Sequence, residues 1–223
     1  MADIKFIVFD LDGTLLDSAA AYIAGVQAAV EELGLPRPKA SMIRETIGKL
    51  PLPETLEHLG LSSNNIQAAL DHYHKLRPKF SNMIRMYPGV IEILLELNTK
   101  DIRCAVLTMK DQASADYRVD QFHLRKFFVD VVGTPNLSKT ESLRYLLLKH
   151  NVTPQEAIMI GDGIADVSAG KEVGTWTIAI TSGYHQIDQL AEKNPDFCAE
   201  TVQDVLICIN KILKENLVKL TKK

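Results

Sequence analysis

Residues 6–9 constrain this chain more than any other stretch. Phe6, Ile7, Val8 and Phe9 form an unbroken apolar run, too short for a helix and suited to a strand covered on both faces in a parallel sheet. The character changes within one residue: Asp10, Asp12, Gly13 and Thr14 follow, and Leu15–Leu16 resumes the apolar pattern. Two carboxylates at the end of a buried strand are costly to desolvate unless something pairs with them, and a divalent cation is the simplest partner. An Asp-Gly turn closing a strand is the ordinary alternative. The whole string DLDGT behind a fully apolar strand goes beyond it.

The remaining βα pattern builds around that strand. Helical spacing runs through Ala19, Tyr22, Ile23, Val26, Val30 and Leu33, and Gly34, Pro36 and Pro38 end it. Short helical pieces at 41–47 and 55–59 and a longer one through Ile66–Leu76 follow, with no strand signal between about Leu16 and Met86. Residues 16–85 are therefore expected to be an all-helical insertion, and 1–15 with 86–223 the core. Beyond Tyr87-Pro88-Gly89, strands are expected at Cys104–Leu107, Val129–Val132, Ala157–Ile160 and Trp176–Ile180, separated by helices. Ser138 with Glu141, and Thr153 with Glu156, have capping-box spacing. A last helix is expected from about Thr201, its Lys-rich end a frayed, solvated tail. Strands and helices alternating in this way imply an α/β fold, a doubly wound parallel sheet of five or more strands with the helical insertion.

In such sheets ligands bind beyond the carboxyl ends of the strands. There the sequence puts Asp10 and Asp12, then Thr108, then Lys139, then Asp162 with Asp166. Carboxylates with backbone oxygen make a hard-oxygen site suited to Mg²⁺. A lysine on the first turn of a helix, beside free N–H groups, attracts an anion. A cation, a lysine and oriented donors around one point describe a phosphoryl site. Lys110 rivals Lys139 as the phosphate-binding lysine because it lies close to Thr108.

Composition narrows the function classes. The 223 residues are 46% hydrophobic and 24% charged, with net charge −3, ordinary for a globular chain and without a basic field for nucleic acid. No apolar stretch approaches the roughly 20 residues of a membrane span, and the N-terminus, with Asp3 and Lys5, does not read as a signal peptide. The three cysteines lack metal-ligand spacing, and Cys104 reads as core packing. A cytoplasmic setting is the expectation.

The residues Asp10-Leu11-Asp12-Gly13-Thr14, Thr108, Lys139 and Gly161-Asp162-Gly163-Ile164-Ala165-Asp166 resemble the four motifs of the haloacid dehalogenase-like superfamily. The helical insertion is similar to the α-helical cap of its phosphoglycolate phosphatase and β-phosphoglucomutase branch. The resemblance implies that Asp10 attacks phosphorus to form an aspartyl-phosphate. It implies that Asp12 protonates the leaving oxygen and then activates water, while its carbonyl binds Mg²⁺ beside Asp10 and Asp162. Asp166 would support the metal or orient Lys139, and Thr108, the Met109 backbone and Lys139 would hold phosphoryl oxygens. Asp12 favours phosphate-ester chemistry over dehalogenation. Two departures stand out: Met109 where relatives often carry Ser or Asn, and Thr140 after Lys139 where Pro is common. Arg44 and Lys49, flanking Gly48, sit where relatives place substrate-selecting residues. With eight Lys+Arg against seven Asp+Glu over 17–85, the insertion is no strong anion trap. Tyr184 and His185 are weaker substrate candidates. His58, His72, His74, His123 and His150 read as surface or helix-face residues.

The function expected is a Mg²⁺-dependent phosphatase acting on a small phosphorylated metabolite. A sugar-phosphate mutase with the same nucleophile is the alternative, and a phospho-acceptor signalling module a remote one.

Overall fold

The computed structural model describes residues 3–134, 138–185 and 187–220, the side chains of 215–220 excepted. The chain divides into two compact units, Met1–Leu15 with Met86–Lys223, and Leu16–Arg85.

In chain order, β1 is Phe6–Phe9 and β2 the two residues Leu16–Asp17. Four helices follow: α1 (Ala19–Glu31), α2 (Ala40–Arg44), α3 (Leu52–His58) and α4 (Ser63–Leu76). A 3₁₀ segment at Arg77–Met83 and the two-residue strand β3 (Arg85–Met86) close this part. The sequence shows no signal for that 3₁₀ stretch or for the short β2–β3 pair, because pieces this small carry no periodicity. The alternation then runs α5 (Val90–Thr99), β4 (Arg103–Thr108), α6 (Gln112–Gln121), β5 (Phe128–Gly133), α7 (Lys139–Lys149), β6 (Ala157–Gly161) and α8 (Ile164–Val173). It ends with β7 (Trp176–Ile180), α9 (Ile187–Ala191), β8 (Phe197–Ala199) and α10 (Val202–Leu220). The Lys-rich tail reaches 221–223, outside the described residues.

Among the described residues the main sheet has six parallel strands in the order β5-β4-β1-β6-β7-β8. This is a doubly wound α/β sheet with β1 at its centre. The sixth strand, β8, lies at an edge and is only three residues long, which is why alternation in the sequence did not reveal it. Phe6 and Val8 face Ala105, Leu107, Leu143, Leu146, Leu147 and Met159. Ile7 and Phe9, on the opposite side of the pleat, are equally buried. Burial on both faces explains why β1 reads as continuous rather than alternating.

At the first capping box Ser138 accepts from the Glu141 N–H and Glu141 reaches back to the Ser138 N–H; at the second, Glu156 reaches back to accept from both the Thr153 N–H and its hydroxyl. Cys104 is buried, and that burial pushes its thiol up to about 12, as core packing requires. His150 departs from the surface reading: its imidazole lies 3.0 Å from Asp130 Oδ2 and against the Phe6 ring.

The unit 16–85 has its own packing. α1 rests on α4, where Gly25 leaves room for the Tyr73 ring. Tyr22 donates to Thr55 Oγ1 at 3.4 Å, and Gln27 Nε2 donates to the Pro38 carbonyl at 2.8 Å. Arg44 closes α2, and both Arg44 and Lys49 are exposed.

Candidate active site

Strand register sets the site. Phe9 pairs with Val106 on one side and Ile160 on the other, so β6 runs one residue and β4 two residues past the end of β1. The Asp10 N–H donates to the Ile160 carbonyl at 2.8 Å, which carries the β1 pairing one residue further and fixes the backbone from which Asp10 projects.

Asp10 is buried, and its Oδ1 accepts a 2.7 Å bond from Lys139 Nζ. Lys139 is the first residue of α7, so the Ser138 cap that starts the helix also aims the lysine. The same ammonium contacts Asp166 Oδ1. Asp166 stands on the first turn of α8, where its Oδ2 accepts from the Gly163 N–H at 2.8 Å. Gly161 lies beneath it: a Cβ there would overlap the Asp166 carboxylate.

Asp162, one residue past β6, is gripped from two sides. Its Oδ1 accepts from Thr14 Oγ1 at 3.2 Å and its Oδ2 from the Tyr184 N–H at 2.7 Å. Gly13, at φ +86°, and Gly183 both approach so closely that a Cβ on either would strike its carboxylate. Nothing in the sequence alone connects Thr14, Gly183 or Tyr184 with Asp162. The Thr14 signal was present in DLDGT; the contribution of the loop after β7 is a backbone N–H, which leaves no residue-type signature.

Asp10, Asp162 and Asp166 each place a carboxylate oxygen within 4.8 Å of the others. Burial, then the charges of Asp166 and Asp162, push the Asp10 carboxyl well above the usual carboxylate range, against the pull of Lys139. Burial and the Asp166 charge push Asp162 up to about 7. Burial alone would depress the Lys139 ammonium, but the carboxylates of Asp10 and Asp166 outweigh it and hold it above an ordinary lysine. One buried cation thus stands among three buried carboxylates and contacts two of them. The surplus negative charge and the hard-oxygen donor set fit a divalent ion.

Asp12 points to more open surroundings and pairs with Lys110, Nζ to Oδ2 at 3.1 Å. The two rival lysines therefore separate: Lys139 takes Asp10 and Asp166, and Lys110 takes Asp12. Thr108 ends β4 and is buried; its Oγ1 accepts from the Lys110 N–H at 3.3 Å. Its carbonyl accepts from the Thr134 N–H at 2.9 Å and from Thr134 Oγ1 at 3.2 Å. Met109 is 46% exposed beside it. His185 is buried, with its ring near Gly163.

Comparisons with known proteins place the chain in one family. The family model described as haloacid dehalogenase-like hydrolase matches residues 7–180. A phosphoglycolate phosphatase from Vibrio parahaemolyticus is 30% identical, over 92% of this chain and 95% of its own length. Phosphoglycolate phosphatase 1 from Pseudomonas aeruginosa is 26% identical, over 93% of this chain and 80% of its own. Among solved structures, a haloacid dehalogenase-like family hydrolase from Streptococcus pneumoniae superposes with TM-score 0.85 at 30% identity, covering 93% of this chain and 99% of its own. A match over most of the chain, with these strand ends converging as they do, means that the chain belongs to the haloacid dehalogenase-like hydrolases.

Proposed function

We propose that this enzyme is a Mg²⁺-dependent phosphatase that hydrolyses a small phosphate monoester through an aspartyl-phosphate on Asp10. The observation that carries the reading is the pairing of Asp10 with the buried Lys139 while Asp12, two residues on, stays partly open to solvent. One carboxylate is held where it can meet phosphorus, and the other where it can meet the oxygen that departs.

Mg²⁺ would be held by Asp10, Asp162 and the Asp12 carbonyl, and when bound it supplies a positive charge that draws electron density from a phosphoryl oxygen. Asp166, committed to Lys139 and the Gly163 N–H, supports this set by orientation. Lys139 and Thr108, with the Met109 N–H, hold the remaining phosphoryl oxygens. Asp10 forms a bond to phosphorus as the ester P–O bond breaks, and the Asp12 carboxyl gives its proton to the leaving oxygen. Asp12, now a carboxylate, takes a proton from water; the water oxygen attacks phosphorus, the bond to Asp10 breaks, and inorganic phosphate leaves. The 16–85 unit serves as a cap that excludes bulk water during turnover. The names of the relatives make 2-phosphoglycolate the first substrate to try.

Asp10→Asn tests the mechanism. Phosphate release should fall to background while the circular dichroism spectrum and melting curve stay those of a folded protein. Full turnover in that variant would sink the covalent route.

A further inference from the structure

Lys110 is a second lysine at the same edge, and the roles given to Asp10, Asp12 and Lys139 leave it without a task. Its backbone is firmly set. The Thr108 carbonyl is bonded twice by Thr134. Gln112 Oε1 accepts from the Gly133 N–H at 2.9 Å, and Gln112 Nε2 donates to the Val131 carbonyl at 2.8 Å. Gly133 lies so close to the Lys110 carbonyl that a Cβ there would not fit. On this fixed loop the Lys110 ammonium reaches Asp12 Oδ2 at 3.1 Å. The side chain is 29% exposed, against 5% for Lys139, so an incoming ligand can reach it.

Attack by Asp10 expels the ester oxygen on the far side of phosphorus, and Asp12 must meet that oxygen. A cation beside Asp12 is therefore beside the leaving alcohol. While the ion pair stands, Asp12 Oδ2 is engaged by the Lys110 ammonium. Resting on the phosphatase reading, we infer that Lys110 is a positioning and specificity residue that exchanges Asp12 for a second anionic group on the leaving alcohol. The substrate class is then a phosphate monoester with a carboxylate or second phosphate close to the ester oxygen. A neutral alcohol offers Lys110 nothing in exchange and leaves Asp12 held. Lys110 transfers no proton in this scheme; once released from the ammonium, the Asp12 carboxylate takes a proton from solvent and passes it to the leaving oxygen as the P–O bond breaks.

The test compares phosphate release from 2-phosphoglycolate, ethylene glycol bisphosphate and the neutral 2-hydroxyethyl phosphate at fixed Mg²⁺. The native enzyme should favour at least one anionic ester over the neutral one by on the order of 10–100-fold in kcat/KM, the range of a charge-assisted hydrogen bond. Lys110→Met should raise KM for the anionic esters and raise kcat for the neutral one, so that the ratio falls toward unity. Lys110→Arg should recover part of it. Which anionic ester is favoured tells carboxylate from phosphate. A merely structural lysine would lower all three activities together, and that result, or no preference in the native enzyme, overturns the inference while the phosphatase reading stands. No phosphate from any ester by the native enzyme would remove both.

Discussion

Lys139 Nζ lies 2.7 Å from Asp10 Oδ1, 129 residues away along the chain, and meets Asp166 with the same ammonium. One buried cation thus holds two of three clustered carboxylates, and its removal has consequences that can be measured. Lys139→Met should destabilise the protein by about 3–5 kcal/mol at pH 8, because breaking a buried pair leaves uncompensated charge. The loss should shrink at pH 5.5, where the carboxylates can take up protons. Urea unfolding at the two pH values measures both; a pH-independent loss would mean that packing, not charge, sets the cost. Activity should fall with stability held constant by osmolyte.

The carboxylate cluster makes stability depend on pH in an unusual direction. Asp162, pushed up to about 7 by burial and by Asp166, titrates near 3.9 in an unfolded chain. Between about pH 4 and about 7 the metal-free folded protein holds a proton that the unfolded chain has released. Bound protons are then more numerous in the native state, so stability falls as pH rises. Asp10 acts in the same sense. Lys139, held above an ordinary lysine, contributes its stability throughout this window and loses it only at alkaline pH. In EDTA the melting temperature should fall from pH 5 to pH 8. Mg²⁺ should raise it strongly at pH 8 and little at pH 5. Equal gains at both pH values would argue against these carboxylates as the seat of the ion.

Gly183 is expected to be intolerant of a methyl group. Its α-carbon packs on the Asp162 carboxylate, and the next N–H donates to it. Gly183→Ala should cost about 1–3 kcal/mol in stability by overpacking. It should also weaken Mg²⁺ binding several-fold in titration calorimetry at pH 8. Unchanged affinity would show that the loop after β7 carries Asp162 without orienting it.

Asp12→Asn preserves shape and removes the transferable proton. kcat should fall roughly 10²–10⁴-fold, the usual value of general acid–base help. The loss should be smaller for p-nitrophenyl phosphate, whose leaving group needs little protonation. Equal losses on the two esters would assign Asp12 to metal or structure alone.

The sequence by itself determined the α/β class, the buried central strand and the places where polar residues interrupt apolar runs. Phe6–Phe9 can be satisfied only between two covered faces, and Asp10 and Asp162 stand at strand ends because the apolar pattern stops there. The caps on α7 and on the turn before β6 were equally local, since each uses residues three apart. Pairing was a different matter. That Lys139 meets Asp10 while Lys110 meets Asp12 follows from the order β5-β4-β1-β6, which sets which loops stand over the end of β1. That Tyr184 holds Asp162 through a backbone N–H leaves no mark in residue type. Local patterns record what each residue needs; only the folded sheet decides which distant group supplies it.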